Sequence, residues 1–198
     1  LGVLAAWKSG TIFDRIIQIW AALGISIPGF WLGFIMIWAF AVALRWFPVI
    51  GYVPPTESFT GWIRSITLPT LLLGVNGSAV IIRMTRASIL EVLREDYIRT
   101  ARAKGLAERV VLFRHALRSA AIPIITVVGF LAAGLITGTV VTETVFTIPG
   151  LGRLVAETVQ TRDFPVVQSM LMLLATFYVV VNLLVDLAYV FVDPRVRL

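Results

Sequence analysis

The chain has 198 residues, with one histidine, His115, eleven carboxylates and no cysteine. A lone imidazole cannot build an HExxH pair or a three-histidine zinc set, and without thiols there is no disulfide, thiolate metal site or cysteine nucleophile. No GxxxxGK[ST] loop is present to cradle a nucleotide, and no carboxylate pair or nucleophile with its base stands out. His115 therefore reads as a structural ring beside a helix junction rather than a proton relay. What remains is one dense polar run, Asp96 to Leu106, DYIRTARAKGL. Asp96 fits a helix N-cap, Tyr97 to Lys104 make about two turns, and Arg102 and Lys104 suit the negative end of the dipole. Gly105 can take the left-handed position that ends the helix. A helix this short is unstable alone in water, so the pattern predicts a partner groove that holds it.

The elements that must position this run follow from composition. Hydrophobic residues make up 59% of the chain and charged residues 14%, and the mean hydropathy is +0.93. A soluble domain carries about 45 to 50% apolar and about 25% charged residues, so the chain reads as an all-α polytopic membrane protein. A crossing helix needs about 20 apolar residues. Four stretches qualify: Ile16 to Leu44, Ser65 to Ile82, Ser119 to Thr142, and Val166 to Val192, where Asp186 is the one charge. The apolar run Leu1 to Trp7, followed at once by Lys8, reads as the end of an earlier crossing helix, which makes 1–198 the C-terminal part of a longer chain.

Thirteen Lys and Arg residues fall on one side of these crossings: Lys8, Arg15, the nine from Arg83 to Arg118, Arg195 and Arg197. Four, Arg45, Arg64, Arg153 and Arg162, fall on the other. The positive-inside rule places 83–118 and the C-terminus in the cytosol. The net charge of +6 then reflects topology and the anionic lipid leaflet, not nucleic-acid binding.

Pro28, Pro69 and Pro123 interrupt the first three crossings, and Asn182 and Asp186 share one face of the last. Such irregular helices pack around something, because neighbours or water must satisfy the freed carbonyls. Gly129, Ala133, Gly134 and Gly138 offer four-residue steps for close helix approach. Asp186 lies within about two turns of the cytosolic end and is expected to form a structural ion pair. Ser26, Thr126, Thr137, Ser169, Thr176 and Asn182 are the few hydrogen-bonding side chains in the crossings, candidates for a weakly polar path. Ala87 to Tyr97 carries apolar residues every four, an amphipathic helix. Glu143 to Pro165 is too apolar for a solvated loop and too broken to cross; it reads as a short re-entrant or surface-lying element turning at Pro149-Gly150.

The run 97–106, YIRTARAKGL, with Arg114-His115-Ala116-Leu117-Arg118 and Pro123, resembles the cytoplasmic loop of ABC importer permeases of the dipeptide, oligopeptide and nickel class. The similarity continues through ETVFTIPGLG (Glu143 to Gly152), RDFPVVQ (Arg162 to Gln168), Asn182 with Asp186, Asp193-Pro-Arg195 and, earlier, Ser26-Ile-Pro28 with Phe30-Trp31-Leu32-Gly33. In the wider family the loop reads Glu-Ala-Ala, three residues, Gly, then Ile-x-Leu-Pro. Gly105 sets the register, with Arg99, Thr100 and Ala101 at the first three places; the glutamate and the proline are absent here, as in the peptide and nickel subclass.

The resemblance implies a type I ABC importer permease fold, with four full crossing helices plus the end of an earlier one, in a bacterial or archaeal cytoplasmic membrane. It implies that Asp96, Tyr97, Thr100, Ala101, Arg102, Ala103, Lys104, Gly105 and Leu106 form a coupling helix within the cytoplasmic segment 83–118, received by a separate ATPase subunit. The chain would carry no cofactor; ATP and Mg would sit on one or two ATPase partners. A second homologous permease, an extracytoplasmic substrate-binding protein and membrane lipid complete the expected partners. Peptide, nickel-chelate and glutathione carriers share this loop. A secondary transporter would need several intramembrane acids and finds only Asp186, and a membrane enzyme finds no catalytic set.

Overall fold

A computed structural model of the chain describes residues 1–192, without the side chains of 136–138 and 190–192. The described residues form helices and connections, with no strand. In chain order they are α1 (Gly2–Trp7), α2 (Ile12–Ser26), α3 (Gly29–Ala43), α4 (Phe59–Val92), α5 (Asp96–Ala103), α6 (Glu108–Ser119), α7 (Ala121–Phe146), α8 (Leu151–Gln160) and α9 (Phe164–Val192). Ile37–Ala43 of α3 and Val111–Ala116 of α6 widen into π-helical turns.

Two helices, α4 and α9, are long and apolar enough to cross a membrane alone. The bent pairs α2 with α3 and α6 with α7 would raise the number to four. The expected first crossing, 16–44, is thus not one helix. Ile27 precedes Pro28, which fixes its own φ, lacks an N–H and disfavours helical backbone in the residue before it, so the chain breaks there and restarts at Gly29. Pro69 is carried inside the continuous α4. Pro123 falls in the first turn of α7, after a 57° bend from α6.

The second crossing also runs further than its apolar stretch. At 34 residues, α4 is about 50 Å long, well beyond the roughly 30 Å hydrocarbon core. The amphipathic pattern of 87–97 is the end of this helix; the chain turns at 93–95, and Tyr97 already belongs to α5.

By internal contacts the chain divides into two compact units. The first comprises Leu1–Ile25, Ser78–Leu131 and the last helix from Val181; the second comprises Ser26–Gly77 and Ala132–Val180. Arg195 and Arg197 lie outside the described residues. The other eleven basic residues assigned above to the cytosolic side all fall in the first unit, and the remaining four all fall in the second.

In the first unit, Ala6, Ile89, Ile98, Val111, Leu112, Ala116 and Ala120 make one buried cluster. Ala5, Ile17, Ala21, Ala79 and Ile82 make another. Gly129 of α7 packs against the Val185 side chain of α9, the close approach its small size predicts. In the second unit, Met36, Ala41, Leu68, Leu72 and Phe146 form the core. There α7 ends at Phe146, followed by a left-handed Thr147 (φ 55°), and the chain turns through 147–150, which includes Pro149-Gly150. Gly150 is the extended N-cap of α8. Glu143 closes this corner: its Oε2 accepts the Arg153 N–H at 2.8 Å, covering an otherwise open donor of the first turn of α8.

Candidate functional site

The polar run folds as the helix its residues predict, with one shift. Glu95 is the N-cap (φ −65°, ψ 147°), and Asp96 is the first helical residue. Its carboxylate therefore meets the positive end of the helix dipole rather than capping it. The other end follows the expectation. Gly105 is left-handed at φ 77°, its N–H donates to the Arg102 carbonyl at 2.9 Å, and the Leu106 N–H donates to the Ala101 carbonyl at 3.4 Å. These two bonds are a Schellman cap, which satisfies carbonyls the helix would otherwise leave open.

The groove that holds α5 comes, on one face, from the chain itself. Ile98 is fully buried and Ala101 is 8% exposed, packed with Ile89 of α4 and with Val111, Leu112 and Ala116 of α6. Of the nine residues assigned to coupling, Ala101 is thus committed inward. Asp96, Tyr97, Thr100, Arg102, Ala103, Lys104, Gly105 and Leu106 are exposed. Tyr97 donates its hydroxyl hydrogen to Ser119 Oγ at 2.8 Å, which ties the helix to the end of α6. Arg102 grips Glu108 through Nε and Nη2 at 2.8 and 3.3 Å, bracing the loop after Gly105. His115 is half-buried within the π-helical turns of α6.

The path candidates fall in both units: Thr126 and Asn182 in the first, Ser26, Ser169 and Thr176 in the second. Thr126, Ser169 and Thr176 are exposed, and each donates its hydroxyl to the carbonyl four residues back, at 2.8 Å. That bond satisfies a hydroxyl within its own helix and leaves only acceptor capacity outward. Thr126 also accepts from the Tyr189 hydroxyl at 2.8 Å. Ser26 is exposed and Asn182 half-buried; the Thr137 side chain lies outside the described residues. Asp186 is exposed and has no ion pair among the described residues, while Arg195 and Arg197, the basic residues beyond it, are outside them.

One polar contact has no counterpart in the sequence reading. Asp14 of α2 is 3% exposed and meets Arg86 of α4 in a two-point ion pair, Nε to Oδ1 and Nη2 to Oδ2, both 2.7 Å. The same carboxylate accepts the Gly10 N–H at 3.0 Å. Thr11-Ile-Phe-Asp14 is a capping-box pattern, and the Asp14 N–H does reach Thr11 Oγ1, at 3.4 Å. That pattern marks the start of α2, but the partner 72 residues away leaves no trace in sequence spacing.

Comparison with known proteins agrees with this architecture. The family model described as binding-protein-dependent transport system inner membrane component matches residues 1–198. A probable peptide ABC transporter permease protein, y4tP, of Sinorhizobium fredii is 50% identical over 99% of the chain. The dipeptide transport system permease proteins DppB of Escherichia coli K12 and of Alkalihalophilus pseudofirmus are 43% and 42% identical, over 100% and 99% of it. The chain spans 63 to 65% of the length of these relatives. An all-helical chain with crossing-length helices, matched along its whole extent, belongs to the binding-protein-dependent transport system inner membrane component family.

Proposed function

We propose that the chain is the permease subunit of an ATP-driven importer, forms half of a path for di- and oligopeptides, and is coupled through α5 to a separate ATPase subunit. The asymmetry of α5 carries this reading. Its inner face is fixed by Ile98 and Ala101, while Tyr97, Thr100, Ala103, Lys104 and Leu106 stay exposed on a helix locked at its exit by Gly105. A short helix held rigidly on one side and open on the other can receive a push and pass it inward without melting. The peptide class is supported by relatives whose names say peptide or dipeptide transport. Hydroxyls that bond their own helices support a weakly polar wall, which suits varied cargo and leaves selection to an extracytoplasmic binding protein.

On this reading a second homologous permease chain completes the path, and one or two ATPase subunits carry ATP and Mg. The protein sits in lipid in a bacterial or archaeal cytoplasmic membrane, with 83–118 and the C-terminus cytosolic. Gly105→Val tests it. A β-branched residue at φ 77° costs on the order of 1 to 2 kcal/mol and distorts the helix exit. Membrane insertion should survive while ATPase co-purification or ATP-driven dipeptide uptake is lost. Unchanged uptake overturns the assignment.

A further inference from the structure

We infer that the buried Asp14–Arg86 ion pair is a positioning clamp that makes α2 follow α4 when α5 is displaced, an inference that rests on the coupling role proposed for α5. Ile98 of α5 packs in one cluster with Ile89 of α4, and Arg86 lies one turn before Ile89 on the same helix. Arg86 holds Asp14, in the first turn of α2, by two bonds of 2.7 Å. Helix α1 bridges the two levels, with Ala6 in the cluster of Ile98 and Ile89, and Ala5 in the cluster of Ile17, Ala21, Ala79 and Ile82.

That second cluster is apolar and made largely of small side chains. Apolar contact is not directional, so it holds two helices together without fixing their register. A two-point pair of guanidinium and carboxylate fixes both distance and orientation. Burial of Asp14, at 3% exposed, makes separation costly because it would strand a charge. The contact therefore selects one register of α2 on α4. One turn beyond Asp14, Gln18 has a buried Nε2 without a hydrogen-bond partner among the described residues, so it adds no such tie there.

The test uses the assembled transporter, with the full-length permease, its partner permease, the ATPase subunits and the binding protein in proteoliposomes. A labelled dipeptide is the probe, and the readout is dipeptide moved per ATP hydrolysed. Asp14→Asn keeps size and one acceptor but removes the charge. The double variant Asp14→Leu with Arg86→Met replaces the pair by apolar packing, a kind of exchange folds commonly accept. Both should assemble and hydrolyse ATP, with the ratio lowered roughly five- to tenfold. Arg86→Lys, which keeps the charge but loses the two-point grip, should fall between these and the wild type, and Gln18→Leu should match the wild type.

A wild-type ratio in the assembled double variant overturns the clamp. So does failure of both pair variants to assemble, which would make the pair a fold contact only, and so does an equal loss in Gln18→Leu. If the wild-type complex itself shows no ATP-driven dipeptide uptake, the functional reading fails rather than the clamp.

Discussion

A Cβ on Gly152 would stand 2.8 Å from the backbone N and Cα of Val140, closer than real side chains approach, whereas one on Gly134 would meet nothing within 4 Å. Two glycines of one sequence thus carry opposite expectations. Gly152→Ala must push α8 off α7 and should destabilise by about 1 to 3 kcal/mol, as overpacking does. Gly134→Ala should be neutral or slightly stabilising, since alanine favours helix. Thermal unfolding of the two purified variants in the same detergent checks the pair. The hydroxyls proposed to line the path carry a different expectation, because Thr126, Ser169 and Thr176 already spend their hydrogens on their own helices. Alanine at each should change the uptake rate modestly and leave the order of preference unchanged across a competition panel of peptides and nickel chelates. A single replacement that re-orders the panel would reveal a specific binding site in this chain and overturn the weakly polar path proposed above.

The short helix α5 depends on neighbours more than on its own eight residues. Ile98 is fully buried among Ile89, Val111 and Leu112, and Ile98→Ala should cost about 2 to 5 kcal/mol locally. Hydrogen exchange should then show the amides of 98–104 losing protection while those of α4 keep theirs. The exit of this helix was legible, because a glycine after two cations has a single structural use at a helix end. Its start was misread by one residue, because Glu95 and Asp96 are adjacent acids and the choice between them lies in the backbone angles. The inner half of its groove was not legible at all: Val111–Ala116 is π-helical, and a 3.6-residue period does not place its side chains. Likewise an uncharged stretch such as 16–44 suggests length and says nothing of a break until Pro28 is given its steric weight.

At the scale of the whole molecule, the basic residues among the described residues sort by unit as they sort by side in the sequence. Thr100 is exposed, so a cysteine there, in a chain that has none, should resist an impermeant thiol reagent on intact cells and react after permeabilisation. Labelling from outside would reverse the topology. Helix α4 adds a length scale to that picture. Arg64 and Arg83, both exposed on it, bound an uncharged stretch of 19 steps, or about 28 Å along the axis, close to the thickness of bilayer hydrocarbon. Arg64 is further tied to the Trp46 carbonyl by Nε and Nη2 at 3.2 and 2.6 Å. On the proposed topology the two guanidiniums would act as floats at the two water surfaces, letting the helix tilt but not bob. Lipids with shorter acyl chains should lean it over, and longer ones should pull a charge below the headgroups, each at a fraction of a kcal/mol per Å. Transport in liposomes of graded chain length should therefore peak where the hydrocarbon matches that spacing, which would make membrane thickness a tuning variable of the proposed importer.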